Sequence, residues 1–205
     1  MNALNEISQS ELDAVLGNRY EKKRVDLCNF DLESLDFRCA DLENVYFNYS
    51  ELSYANFSHK DLDNAVFTRA KMHSVDFCSA HLNLKIFKDV DLFGSIFCGA
   101  KINSCNFENA RLTFSDFSGA RINGGSFSGA DLESSIFRGA EIDGVDFSNC
   151  NLRGVDFSGT KFTDCDFFGT VIEKCMKSGS GMSFSYCDFN GSYNTAKKDR
   201  KFPDE

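Results

Sequence analysis

GADLESSIFRGAEIDGVDF, residues 129–147, carries a large apolar side chain at every fifth place: Leu132, Phe137, Ile142 and Phe147. A helix repeats every 3.6 residues and a strand every two, so a period of five fits neither as one continuous element. Two places before each of these centres stands a smaller residue: Ala130, Ser135, Ala140 and Val145. Inward sites therefore fall at intervals of two and then three. The interval of two is strand alternation, and the interval of three requires the chain to turn a corner. Turn-forming residues stand two places after the centre, as Gly139 and Gly144 do. The unit is a short extended segment followed by a bend.

Followed outward in both directions, the period runs unbroken from Leu27 to Ile172, with Leu, Ile, Met or Phe at every centre. A second period of ten lies on top of it. Phe holds the alternate centres from Phe37 to Phe167, and aliphatic residues hold those between, from Leu32 to Leu152. Phe162 is the one Phe out of phase. This placement accounts for most of the 22 Phe in a chain that has no Trp and a single Pro.

CADLENVYF (Cys39 to Phe47), NARLTFSDF (Asn109 to Phe117) and GADLESSIF (Gly129 to Phe137) resemble the A-(D/N)-L-x-x units of the pentapeptide-repeat family. The resemblance covers about residues 25 to 175. It implies four units per coil, a square cross-section, and coils stacked as parallel β-bridges. The expected fold is all-β: a right-handed quadrilateral parallel β-helix with a short N-terminal capping helix. At a strand spacing of about 4.8 Å the rod would be roughly 36 Å long. Residues twenty apart would then stack, which puts Phe on two opposite walls. At roughly 1.5–3 kcal/mol per buried large side chain, the two ladders would dominate the favourable side of folding.

The ends divide the chain further. Residues 1–24 form an N-terminal cap, in which Ser8-x-x-Glu11 reads as a capping box and Gly17 as the helix stop. Residues 25–175 are the repeat, 176–193 a C-terminal partial coil, and 194–205 a polar tail. EKCMKSGSG (Glu173 to Gly181) breaks the register before Phe184 and Phe189 resume a five-residue spacing.

The net charge of −9 disfavours direct nucleic-acid binding, which runs on Lys and Arg neutralising phosphates, and suits a basic partner. No stretch reaches the apolar length of a membrane span, and the N-terminus lacks the pattern of a secretory signal. These features give the expectation of a cytoplasmic chain whose nine Cys are reduced. Cys105, Cys150, Cys165 and Cys175 take the small inward position, where Cys behaves as a buried hydrophobe. Cys78 and Cys98 lie one coil apart on the outside. A disulfide is one reading of them, and two free surface thiols are the expectation.

Catalysis, cofactor and metal are not expected. His59, His73 and His81 fall on three different faces, whereas a metal site or a nucleophile–base pair needs convergent groups. Within residues 25–175 most carboxylates, Asp31 to Asp166 among them, occupy the place just before a centre, where their regularity points to folding.

NLKIFKDV (Asn83 to Val90) violates the pattern: Lys85 takes an inward site, while Leu84 and Ile86 should face solvent. Lys60 breaks the same rule. A bulge with snorkelling lysines explains this without function. Ile86 would nevertheless stack over Val66 and Tyr46, with Tyr49 beside them. An apolar strip on a polar wall reads as a candidate partner surface made of Tyr46, Tyr49, Val66, Leu84 and Ile86. Tyr54, Phe93 and Phe114 make a second candidate on a neighbouring wall. Glu51, Lys71, Asp91, Arg111 and Asp131 should form one column of alternating charge, each inner member between two opposite charges.

The leading functional expectation is a non-catalytic protein–protein interaction scaffold. The alternative, implied by the resemblance to some bacterial members, is a DNA mimic that binds DNA gyrase or topoisomerase IV. Residues 26–63 favour it, with nine acids against Arg38 and Lys60. Against it, nothing is inserted between units, and no apolar dimerising helix is visible. The assembly expected is a monomer or a weak end-to-end dimer through the C-terminal coil.

Overall fold

The structure, a computed structural model, describes residues 4–17, 23–173 and 182–188. The chain winds into a right-handed quadrilateral parallel β-helix of about eight turns with one short helix. The register is twenty residues throughout the repeat: Lys101 pairs with Arg121, Arg121 with Glu141, and Glu141 with Lys161. One wall is a continuous six-stranded parallel sheet made of His81–Asn83, Lys101–Asn106, Arg121–Ser126, Glu141–Asp143, Lys161–Thr163 and Ser183–Ser185. Elsewhere Asn5–Glu6 pairs with Phe30–Asp31, Val25–Asp26 pairs with Val45–Tyr46, and single bridges join the coils, as in Asp36↔Asn56, Asn56↔Asp76 and Asp76↔Ile96.

Both Phe ladders fill the interior. Rings one coil apart stack, Phe37 on Phe57 at 4.4 Å and Phe107 on Phe127 at 4.6 Å. The ladders meet edge to face across the centre, as Phe47 and Phe57 do at 82°, the arrangement that ring quadrupoles favour. Small inward hydroxyls are buried and bonded to carbonyls: Ser95 Oγ donates to Met72 O at 3.0 Å, and Thr160 Oγ1 to Phe137 O at 2.7 Å.

Nearly every corner places a left-handed residue two places after the centre. From 29 to 169 in steps of five, φ is positive everywhere except at Cys39 and Asn64. The acid before the centre has a folding role too. Asp76 Oδ1 accepts the Cys78 N–H at 2.8 Å, and Asp116 and Asp146 do the same for Ser118 and Ser148. A short side chain that accepts from the backbone two residues on is what such a turn requires.

Helix α1 (Gln9–Leu16) closes the first coil, with the capping box of Ser8 and Glu11 in place. Leu12 and Leu16 are wholly buried. Gln9 does the work of a strand at the open edge: its amide nitrogen donates to Asp36 O and its amide oxygen accepts from Asp36 N, both at 2.8 Å. Gly17 ends the helix in an extended conformation, at φ −76°. At the other end Phe184 stacks on Phe162 at 4.9 Å, pairing with it across 22 residues instead of twenty. That shift is the register break after Ile172, absorbed as two extra residues. Phe189, Cys175 and the tail from residue 194 lie outside the described residues.

Candidate functional site

Leu84 and Ile86 project into solvent, 75% and 70% exposed, and Lys85 between them is buried. Ordinarily the residue after the inward site carries the bridge to the coil below. Here bridges join Tyr46 to Val66 and Ile86 to Asn106, but among the described residues none joins Val66 to Ile86. The Lys85 ammonium bonds the coil below instead, donating to Ala65 O at 3.0 Å and to Asp63 O. Burial holds its pKa below that of an ordinary lysine, against the pull of Asp63, Cys105 and Asp61. Lys60, the other inward lysine, is half-buried and donates to Arg38 O at 3.3 Å.

Between these two lysines the wall opens. A crevice of about 320 Å³ is lined by Ala40, Asp41, Leu42, Glu43, Lys60, Asp61, Asp63 and Asn64. Asp63 also receives the Asn83 amide, which begins a ladder in which Asn103 donates to Asn83 at 2.6 Å and Asn123 to Asn103 at 3.1 Å.

Of the first candidate strip, Tyr46 and Val66 are half-buried neighbours, and Tyr49, Leu84 and Ile86 are exposed. Arg24 lies over the Tyr46 ring at 4.2 Å and Arg69 over Tyr49 at 6.0 Å. Of the second, Phe93 and Phe114 meet edge to face at 5.6 Å, with Arg111 over Phe93 at 4.6 Å. Tyr54 occupies the same corner column as Phe114, three coils away. Tyr49, Tyr54, Leu84 and Phe114 are all corner residues with φ of 53° to 62°. The sequence reading passed over Ile96, Phe168 and Tyr186, which are also exposed. Ile96 and Phe168 were readable as apolar residues at outward places of the unit; Tyr186 sits beyond the register break.

Two expectations require correction. Cys78 and Cys98 are joined as a disulfide and are not free thiols. The twenty-residue register sets their Cα atoms 4.7 Å apart, inside the range a disulfide spans. The charged column forms, with Glu51↔Lys71, Asp91↔Arg111 and Arg111↔Asp131 bridged, but its charges do not alternate in contact. Lys71 pairs with Glu51 at 3.3 Å, while Asp91 takes His73 at 2.8 Å and Arg111 at 3.0 Å. His73, outward on the neighbouring coil, occupies the place expected for Lys71.

Cys105, Cys150 and Cys165 are buried as free thiols. Among the described residues no three His, Cys, Asp or Glu are placed to hold a metal ion, and no helix is long and apolar enough to cross a membrane.

The profile of the pentapeptide repeat region matches residues 70–147 and 100–176, and that of pentapeptide repeats in eight copies matches 47–83. Among curated proteins none matches the chain. Among solved structures, HetL, a pentapeptide repeat protein involved in heterocyst differentiation regulation from Nostoc sp. strain PCC 7120, is 16% identical over 87% of this chain and 90% of its own, with a TM-score of 0.42. QnrB1, a plasmid-mediated fluoroquinolone resistance protein, is 15% identical over 75% and 85%, with a TM-score of 0.49. A pentapeptide repeat protein of the Arabidopsis thaliana thylakoid lumen is 24% identical over 48% and 61%, with a TM-score of 0.35.

Proposed function

We propose that this chain, which belongs to the pentapeptide repeat family, works as a non-catalytic scaffold that presents its walls to a protein partner. One observation carries the reading: large apolar side chains stand exposed at corners whose backbone disfavours them. Tyr49, Tyr54, Leu84 and Phe114 adopt positive φ, which costs roughly 1–2 kcal/mol for an L-residue with a side chain. Folding gains little from a side chain in water, so the cost has its return in contact with something else. The proposed assembly is a monomer or a weak end-to-end dimer through the C-terminal coil.

The test is site-specific photo-crosslinking in the native host, with the crosslinker placed in turn on each of the four walls. Capture of one discrete protein from one wall or corner supports the scaffold. Uniform labelling from all four walls, or none from any, overturns it.

A second reading, mimicry of a DNA duplex toward DNA gyrase or topoisomerase IV, is favoured by the acids concentrated in residues 26–63. Gyrase supercoiling with and without ciprofloxacin, in the presence of the purified protein, decides between the two. Inhibition of supercoiling or relief of the drug supports the mimic, and no effect on either leaves the scaffold.

A further inference from the structure

Two breaks in the bridge ladder flank a single corner. On one wall no bridge among the described residues joins Asp41 to Asp61, and on the next none joins Val66 to Ile86. A lysine stands in the inward site beside each, Lys60 and Lys85, whereas a third gap, between Lys71 and Asp91, has Ala70 and Val90 there. The first leaves the crevice; the second leaves an apolar ledge of Tyr46, Val66, Leu84 and Ile86. Asn64, on the crevice lining, is the corner residue one coil below Leu84. Crevice and ledge are thus continuous around the corner.

Charge states what fits. Asp41, Glu43, Asp61 and Asp63 line the crevice beside the Lys60 ammonium, Asp41 and Glu43 have partners of their own, and Asp63 and Asp61 also face the Lys85 ammonium of the next coil. Lys60 is bonded to the Arg38 carbonyl, and Lys85 is bonded to main-chain oxygens beneath the wall. Asp61 accepts the Asp63 N–H and Asp63 the Asn83 amide, and neither is in an ion pair among the described residues. The volume, about 320 Å³, lies at the lower end of the roughly 300–1,000 Å³ typical of ligand pockets.

Resting on the scaffold reading, we propose that crevice and ledge together form a docking groove for an extended segment of a partner protein, one with a Lys or Arg beside aliphatic residues. The cation enters the crevice beside Asp61 and Asp63, which are exposed, so this part of the binding weakens as salt rises. The aliphatic side chains lie on Leu84 and Ile86, and cover them. Each part supplies what the other lacks: the ledge gives affinity by burial, and the carboxylates give sign and register.

The experiment uses the full-length chain and three fluorescein-labelled twelve-residue peptides. One has arginines alternating with leucine and isoleucine, one has glutamate in place of arginine, and one has serine in place of the aliphatic residues. Anisotropy titrations should show the first binding at least tenfold more tightly than the other two. Leu84→Ser/Ile86→Ser and Asp61→Asn/Asp63→Asn should each weaken it tenfold or more. All four positions are outward, so each variant should melt with the parent, and Asn keeps the turn acceptor at residue 61. A Tyr54→Ser/Phe114→Ser variant should bind as the parent does.

Equal binding of all three peptides, or no loss in the Leu84/Ile86 variant, overturns the groove. Loss confined to the Tyr54/Phe114 variant overturns it too, and leaves the scaffold reading standing on the other corner. If the Leu84/Ile86 variant instead abolishes self-association of the parent in light scattering, the occupant is a second copy and the basic-segment proposal fails.

Discussion

The rings of Phe97 and Phe117 lie parallel, with centroids 4.6 Å apart and planes within 1° of each other. Phe117 is stacked on its other side by Phe137 at 4.7 Å and touched edge-on by Phe127 at 5.8 Å. Every one of these neighbours is held by its own coil, so little can move into space that Phe117 vacates. Phe117→Ala should therefore cost about 3–5 kcal/mol, the range for a large aromatic removed from a core that cannot collapse. Urea unfolding checks it. A midpoint close to the parent's would show that the ladder is not what stabilises the middle coils.

Two glycines separate strain from space. Gly119 has φ +64° and nothing within 4 Å of a Cβ built on it, so Gly119→Ala should lose only the conformational cost, about 1–2 kcal/mol. Gly125 takes an inward site at φ +94°, and a Cβ there would lie 2.2 Å from Cys105 O. Gly125→Ala must push two coils apart as well, and its melting temperature should fall well below that of Gly119→Ala. Equal losses would mean that the close approach of the coils at Gly125 is not a constraint.

What the sequence makes legible here is whatever repeats. Period five fixes corner, wall and core, and period twenty follows once the coil holds four units, so the burial of Phe117 and the exposure of Leu84 could both be read. Pairing between outward side chains could not. Cys78 and Cys98 were readable as neighbours at the coil spacing, but whether two stacked thiols join depends on how their side chains turn toward each other, which the period does not state. Asp91 takes His73 and Arg111 because long side chains reach across columns as easily as along them. The groove lies where the period is kept by number and broken by residue type, at Lys60 and Lys85, and only the bridges show that the wall parts there.

Buried thiols set the alkaline limit. Burial raises the Cys105 pKa to about 11 and that of Cys165 to about 12, from an ordinary value of 9.0, and it raises Cys150 as well. A group whose folded pKa lies above its unfolded one contributes stability that is complete below the unfolded value. For Cys105 that stability is lost as pH rises from about 9 through about 11, because the unfolded chain releases its proton first. Cys105→Ala should therefore show a flatter decline between pH 9 and pH 11 than the parent, by up to about 3 kcal/mol. Parallel declines in urea midpoint for the two proteins would show that this thiol does not contribute to the alkaline loss.

The last prediction concerns the N-terminal cap. A stack of parallel coils ends in an open edge and an open apolar core, and either will pair with another chain unless covered. Helix α1 covers the core here and shares the edge with Asn5–Glu6, which pairs with Phe30–Asp31. Leu12 and Leu16 close the core, Gln9 saturates the Asp36 backbone, and the Asp41 N–H donates to Leu16 O at 2.9 Å. These contacts can be removed in graded steps. Ser8→Ala should cost the helix about 1 kcal/mol through loss of its N-cap and leave the parent's mass unchanged. Leu12→Asp places a carboxylate in the core, so the helix must lift, and the first coil is then exposed. That variant should form assemblies whose mass grows with protein concentration in light scattering, while Phe117→Ala, with its cap intact, should not. If Leu12→Asp keeps the parent's mass at every concentration, the first coil is not an edge that needs the helix, and the cap serves only the helix itself.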